Sequence, residues 1–146
     1  MTCGGEYMIC TFIGARDTPF TLREHIKKAI VDLISKGVCE FYVGNNGNFD
    51  YMAQSVLSEL ESEYNIKFDI VLSYIDEVAL IGNQAFTVYP EELASTPKRY
   101  AISKRNDYLL KKSSILIAYT DNTYSNSYKF TQKALKKGYT VINLAK

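Results

Sequence analysis

Three short stretches carry the residue types that could do chemistry in this chain: 14–21, 44–50 and 120–127. Each is rich in glycine, asparagine or hydroxyl side chains and stands between an apolar run and a helical pattern. In such a joint several backbone N–H groups point at one spot, at the positive end of a helix dipole. That spot suits a phosphate or another anion, so three such joints predict a nucleotide-derived ligand.

The second stretch is the most informative one. The alternative is a purely structural turn that binds no ligand, because glycine and asparagine are common in turns, where they tolerate positive φ. Asp50 falls in the first helical turn, where it either caps backbone N–H groups or accepts from a ribose hydroxyl, and the cap is favoured. The candidate ligand contacts here are Gly44, Asn45, Asn46, Gly47, Asn48 and Asp50.

The first stretch supplies Gly14, Ala15, Arg16 and Asp17 as candidates. Arg16 could hold a phosphate with two parallel hydrogen bonds. The alternative is an exposed Arg16–Asp17 cluster, which would contribute little to stability.

The third stretch supplies Tyr124, Ser125, Asn126 and Ser127. Ser125 or Ser127 is either a ligand contact or only the N-cap of the next helix. Tyr124 could stack on a base, although exposed loop tyrosines are common.

Two arginines flank the start of the third predicted helix, Arg99 and Arg105. Arg105 shares a helical face with Ile102 and Leu109, so it can point inward toward a crevice. An exposed, salt-bridged arginine is the alternative.

The sequence offers few residues suited to acid–base or nucleophilic catalysis. His25 lies in mid-helix without a serine or cysteine signature, and Cys10 and Cys39 read as buried, inert thiols. Four carboxylates in the long segment after the third strand show no spacing typical of an acid–base pair. These four are Asp76, Glu77, Glu91 and Glu92. We therefore predict no catalytic residue, no metal and no cofactor.

Net charge, cysteine content and the distribution of apolar residues argue against several classes of protein. The formal net charge of +1 argues against a nucleic-acid-binding surface, which would show a basic excess. Three unpatterned cysteines fit a reducing compartment. Neither a signal peptide nor an apolar run of the roughly 20 residues that a membrane helix needs is evident. We expect one cytoplasmic domain over residues 1–146.

The elements that must position these joints alternate. Apolar runs predict strands at 8–13, 39–43, 68–72, 114–119 and 139–144, and helical spacing predicts helices over about 22–34, 48–64, 100–112 and 127–137. Residues 76–99 show no period and are predicted to form a long loop. Such alternation predicts an α/β fold with a five-stranded parallel sheet in the order 3-2-1-4-5. Ligands of such sheets bind at the carboxyl ends of the strands, beside the switch point, here between strands one and four.

Four stretches together resemble the SLOG superfamily, and most of all its small YpsA-like members: 10–19, 41–50, 100–110 and 138–144. The resemblance covers nearly the whole chain in order. It implies a Rossmann-like, three-layer α/β/α fold, a nucleotide-derived ligand and a homo-oligomer. This superfamily includes the Lonely-guy phosphoribohydrolases, the DNA-processing protein DprA, and sensor domains of antiphage systems that bind NAD-derived signals.

The chain departs from those relatives at three places. Ala15 replaces a usual histidine, Ser125-Asn126 replaces a Gly-Gly pair, and Lys129 stands near the place of the hydrolases' catalytic glutamate. Arg105 matches an arginine that the hydrolases use. This pattern favours non-catalytic sensing or sequestration of an ADP-ribose, NAD-type or cyclic nucleotide signal, for example by a phage-encoded sponge against bacterial immune signalling. The alternative is an N-glycosidic hydrolase with a carboxylate supplied from the 76–99 loop.

Overall fold

A computed structural model describes residues 8–72, 86–88, 90, 93, 96–120 and 122–145, and every structural statement below refers to these residues. Within them lies a six-stranded sheet in which all neighbouring strands run parallel. Its strands are β1 (Ile9–Gly14), β2 (Glu40–Val43), β3 (Lys67–Val71), β4 (Phe86–Val88), β5 (Ile115–Tyr119) and β6 (Thr140–Asn143).

The strand order is β4-β3-β2-β1-β5-β6. The five predicted strands, now β1, β2, β3, β5 and β6, therefore lie in the predicted order, and the switch point falls between β1 and β5. The sheet gains one strand that the sequence did not reveal. β4 pairs with the edge strand β3 and lies inside the segment predicted as a loop. Three residues are too few to show the alternation by which a strand is recognised, which is why the prediction of an uninterrupted loop was wrong.

Within the described ranges, four helices connect the strands: α1 (Arg23–Ser35), α2 (Asn48–Leu60), α3 (Ala101–Lys112) and α4 (Asn126–Lys136). Each begins within one residue of its predicted start. The second helix ends earlier than predicted, because the chain turns after Leu60. Gly37 and Gly138 follow α1 and α4 with φ of 99° and 85°, the left-handed conformation that a glycine accepts at a helix end.

Alternate residues of the central strands β1 and β5 enter two separate cores, as a sheet covered on both faces requires. Cys10 and Phe12 of β1 pack with α1 and α2, whereas Ile13 packs with residues of α3 and α4. The larger core also holds Phe41 and Val43 of β2. The part of the chain that the structure describes thus forms three layers, α/β/α, with two of its helices against each face of the sheet.

The two described cysteines differ. Cys10 is buried and free, and burial raises the pKa of its thiol, which keeps it inert as predicted. The prediction for Cys39 was wrong, because Cys39 is disulfide-bonded. Disulfides are rare in reducing compartments, so the cysteines no longer support one. Within the described ranges, no helix has the length and apolar character needed to cross a membrane.

Candidate ligand-binding cleft

A cleft of about 820 Å³ opens at the carboxyl ends of β1 and β5, beside the switch point. Residues from the loops after β1, β2 and β5 reach it, together with one face of α3 and the first turns of α4. The predicted site residues that line it are Gly14, Ala15, Arg16, Asp17, Asn46, Asp50, Arg99, Arg105, Ser125, Asn126 and Ser127. The three joints read from the sequence therefore meet at one place.

The loop after β1 is held from two sides. The N–H and the hydroxyl of Thr18 both donate to the carbonyl oxygen of Ala15, at 3.2 and 2.5 Å. The backbone N–H of Asn48 donates to the carbonyl oxygen of Arg16 at 2.9 Å, and the side-chain amide of Asn48 donates to Thr18 O at 3.4 Å. The loops after β1 and β2 therefore form one connected wall.

The loop after β2 uses its polar groups inside the protein. The backbone N–H of Asn46 donates to Oδ2 of Asp50 at 2.9 Å, so Asp50 acts as a cap for the loop. Gln54 donates to the carbonyl oxygen of Gly44 at 2.7 Å. Gly47 has φ of 115° and lies so close to Arg16 that an added Cβ would stand 2.7 Å from Arg16 Cα. The Gly/Asn loop therefore closes around its own carboxylate, and the N–H of Asn46 is not available to a ligand.

Gly44 makes room for two buried ionisable groups, the guanidinium of Arg105 and the carboxyl group of Asp50. A Cβ on Gly44 would lie 2.4 Å from Nη1 of Arg105 and 2.8 Å from Oδ2 of Asp50. Arg105 is only 2% exposed and points inward, where its Nη1 donates to the carbonyl oxygen of Val71 at 3.2 Å and its Nε to Oδ1 of Asn106 at 3.0 Å. A glycine at position 44 is what lets the guanidinium and the carboxyl group approach.

The carboxyl group of Asp50 is 7% exposed and borders the cleft. Burial raises its pKa above the usual range, although the charge of Arg105, the hydrogen bond from Asn46 and the charge of Arg16 all oppose that rise. Burial is therefore the dominant influence on Asp50, and it disfavours ionisation of this carboxyl group.

The joint after β5 presents open N–H groups. Ser125 is the N-cap of α4, and its Oγ accepts from the N–H of Tyr128 at 3.1 Å. The N–H groups of Asn126 and Ser127 in the first turn have no acceptor among the described residues. Both residues line the cleft, so this helix start offers two unused donors at the positive end of its dipole.

Five predicted contacts lie outside the cleft lining: Gly44, Asn45, Gly47, Asn48 and Tyr124. Gly44 lies against the side chains of Arg105 and Asp50, and Gly47 lies against Arg16. Asn48 donates hydrogen bonds to the loop after β1. The side chain of Tyr124 is 88% exposed and points away from the lining. Sequence position placed these residues in the right loops but did not tell which of them a neighbouring side chain would cover.

The cleft carries an excess of unpaired positive charge. Within the described ranges, Arg16, Arg99 and Lys129 line it without an ion-pair partner. Lys133 instead pairs with Asp107 at 2.9 Å across the gap between α3 and α4. These charges give the cleft an environment that favours an anionic ligand.

Sequence reasoning predicted Arg105 on α3 and Asn126 and Ser127 on α4 but missed the rest of the lining from these two helices. Ser103 and Asp107 on α3, and Lys129 and Lys133 on α4, are each four residues apart and so share a helical face. The pattern was visible in the sequence, but nothing there told which faces of the two helices meet.

Comparison with known proteins supports the fold alone. The chain matches no protein-family model and no curated protein. The X-ray structure of DNA processing protein A (DprA) from Streptococcus pneumoniae is similar, with a TM-score of 0.71, 14% sequence identity and coverage of 94% of this chain. Because the match covers 50% of the DprA chain, this chain spans about half the length of that protein. The Rossmann-like α/β fold is thereby shared with DprA.

Proposed function

We propose that this protein binds a nucleotide-derived small molecule with anionic groups and acts by sensing or sequestering it, without converting it. The observation that carries the proposal is the meeting, in one cleft, of unpaired cations and unused helix-start donors. Arg16, Arg99 and Lys129 supply the charge, and the N–H groups of Asn126 and Ser127 supply the donors. A phosphate or pyrophosphate group has the matching charge and acceptor oxygens.

A second feature independently supports a polar ligand at this end of the cleft. Thr120 lines the cleft and is 5% exposed, and its hydroxyl has no hydrogen-bond partner among the described residues. A buried hydroxyl without a partner costs about 1–3 kcal/mol. A ligand group reaching the start of α4 would offer that hydroxyl a partner.

Of the three described carboxyl groups in the cleft, those of Asp17, Asp50 and Asp107, two are already engaged within the protein, which favours binding over catalysis. Asp50 is engaged by the N–H of Asn46, and Asp107 is paired with Lys133. Lys129, near the place where a hydrolase of the resembled superfamily carries its acid, offers a positive charge instead. An oxocarbenium-like centre at this position would meet a cation, which would oppose cleavage.

The ligand class can be tested by isothermal titration of the protein with ADP-ribose, NAD, AMP and the cyclic ADP-ribose isomers. A short single-stranded DNA belongs in the panel because of the likeness to a DNA processing protein, although the net charge of +1 disfavours it. We expect at least one nucleotide to bind. A folded protein that binds none of them would refute the proposal.

Arg16→Ala locates the binding, with Arg23→Ala as the matched control. Arg23 lies on α1 outside the cleft lining and donates to Glu59 at 3.1 Å. We expect at least a tenfold loss of affinity for Arg16→Ala, in the range of a lost charge-assisted hydrogen bond of about 1.5–3 kcal/mol, and no loss for the control. Equal affinities of the two variants would place the ligand elsewhere.

Hydrolysis of an N-glycosidic bond is a second candidate, favoured by one observation. Asp50 places a buried carboxyl group with a raised pKa at the cleft, the environment in which general acids are found. The other carboxylates considered, Asp76, Glu77, Glu91 and Glu92, lie outside the described residues. Incubation with NAD and nucleoside monophosphates, followed by chromatography, tests this candidate. Base release that disappears in Asp50→Asn would establish it, and intact substrates would exclude it.

A further inference from the structure

We infer that Asn143, on the edge strand β6, is a positioning residue for the cleft. Asn143 does not line the cleft, but its side chain forms hydrogen bonds with the backbone of Thr120, where the loop leading to α4 begins. The inference rests on the proposed function for its consequence in binding. Its structural part can be tested without any ligand.

The contact is a two-way clamp. The side-chain amide nitrogen of Asn143 donates to the carbonyl oxygen of Thr120 at 3.1 Å, and its Oδ1 accepts from the N–H of Thr120 at 3.3 Å. Oδ1 also accepts from the N–H of Ala145 at 3.1 Å. An asparagine carries one acceptor and two donors on a short stem, so it can satisfy both backbone groups of one residue.

The clamp continues the sheet beyond its last paired residues. β5 and β6 pair up to Ala118 opposite Asn143, and the N–H of Leu144 donates to the carbonyl oxygen of Ala118 at 2.7 Å. Thr120 comes after the last residue of β5 and has no strand residue opposite it. The side chain of Asn143 takes the place of that missing backbone partner.

What the clamp controls is the start of α4. From Thr120 the chain passes through a turn in which the N–H of Ser125 donates to the carbonyl oxygen of Asn122 at 3.0 Å, and then enters the helix. Asn126 and Ser127, whose N–H groups are the open donors, follow directly and line the cleft. With Thr120 held at both backbone groups, the turn and these donors are fixed relative to β1 and its loop. Donors that are fixed before binding lose less entropy when a ligand arrives.

Amide hydrogen exchange, followed by NMR, tests the clamp in the ligand-free protein. In Asn143→Ala we expect the N–H of Thr120 to exchange at least tenfold faster, with faster exchange also over 122–127 and unchanged exchange in β1 and β2. Thr140→Ala, at the exposed start of the same strand, is the matched control and should change none of these rates. A uniform rise across the sheet, or unchanged exchange at Thr120, would overturn the inference.

A second variant guards against loss of folding. Asn143→Asp keeps the acceptor for Thr120 N–H and Ala145 N–H but loses the donor to Thr120 O. We expect the Thr120 N–H to stay protected in this variant while residues 122–127 exchange at least threefold faster. If exchange over 122–127 equals that of the original protein, the bond to the carbonyl oxygen does not position the loop.

Titration with ADP-ribose separates this inference from the proposed function. If the original protein binds ADP-ribose, we expect at least a tenfold loss of affinity in Asn143→Ala and none in Thr140→Ala. Binding that is unchanged in Asn143→Ala would refute the positioning role while leaving the proposed function intact. If the original protein binds no member of the nucleotide panel, the proposed function fails, and the exchange rates alone decide the role of Asn143.

Discussion

The backbone N–H of Asn48 donates a 2.9 Å hydrogen bond to the carbonyl oxygen of Arg16 and joins the start of α2 to the loop after β1. Gly47 completes the junction, because its Cα lies directly against the backbone of Arg16. One wall of the cleft is therefore built from two loops that cannot move independently. The position of Arg16, the cation at the centre of the proposed function, depends on a glycine in another loop.

Gly47→Ala should break this junction. Its φ of 115° is unfavourable for any residue with a Cβ, and the new Cβ would stand 2.7 Å from Arg16 Cα, a backbone atom that cannot swing aside. We expect a loss of about 1–3 kcal/mol in the free energy of unfolding, measured by urea denaturation, together with weaker nucleotide binding.

Gly138→Ala separates backbone strain from the clash with Arg16. Gly138 has φ of 85°, but an added Cβ there would meet nothing within 4 Å. This control should lose only about 1–2 kcal/mol, the usual penalty of a left-handed residue with a side chain, and should bind normally. Equal losses of stability and equal affinities in the two variants would show that the contact with Arg16 does not matter.

Gly14→Ala should be relieved by a smaller partner. A Cβ on Gly14, at the end of β1, would lie 2.3 Å from Cγ of Phe49, a ring that is fully buried in the core. We expect overpacking to cost about 1–3 kcal/mol of unfolding free energy. In the double variant with Phe49→Leu, the loss should be smaller than the sum of the two single losses, because the flat ring no longer occupies that space. Strict additivity in urea denaturation would contradict the contact.

The sequence sufficed for the layout of the sheet, because that layout follows from patterns along the chain. Apolar runs of about five residues alternating with helical spacing leave few parallel topologies open, and the right-handedness of crossovers reduces their number further. The strand Phe86–Val88 escaped because so short a strand carries no period and is defined only by its neighbour β3. Cys39 escaped for a related reason, since the pairing of cysteines depends on which residues meet in space.

Sequence patterns predicted the outline of the candidate site but not the contacts that its residues make with one another. Glycine and asparagine at 44–48 indicated a loop with converging N–H groups, and such a loop exists. Nothing in the sequence told that Asp50 would occupy the N–H of Asn46, or that Gly44 would make room for Arg105 rather than for a ligand. These are contacts between elements, and local sequence patterns report only the elements themselves.

The ion pairs between α1 and α2 should make stability depend on pH on the acid side. Glu59 pairs with Lys27 and with Arg23, and the hydrogen bond from Lys27, followed by that from Arg23, lowers the pKa of Glu59 below its usual 4.5. A carboxyl group with a lowered pKa stabilises the fold above its unfolded-state pKa, and this contribution is lost as the pH falls through the folded-state pKa.

We expect Glu59→Gln to be less stable than the original protein at pH 7, and the difference to shrink below about pH 4.5. Urea denaturation between pH 3 and 7 measures it, with the exposed Glu61→Gln as control, and a difference that does not change with pH would refute the assignment.

Asp50 should give the opposite pH dependence, because burial raises its pKa above its usual value of 3.8. The folded protein then holds this proton more tightly than the unfolded chain, so the contribution of Asp50 to stability falls as the pH rises from about 4 through the raised pKa. Asp50→Asn keeps an acceptor for the N–H of Asn46 and cannot ionise. The free energy of unfolding of Asp50→Asn, relative to that of the original protein, should therefore increase with pH over this range.

Asp69 also has a pKa raised mainly by burial, but it is present in both proteins and cancels from the difference. Urea denaturation at half-unit steps from pH 3.5 to 7 measures the trend. A difference that stays flat, or that falls as the pH rises, would show that Arg105 and the loop N–H outweigh burial and hold Asp50 as a stable carboxylate.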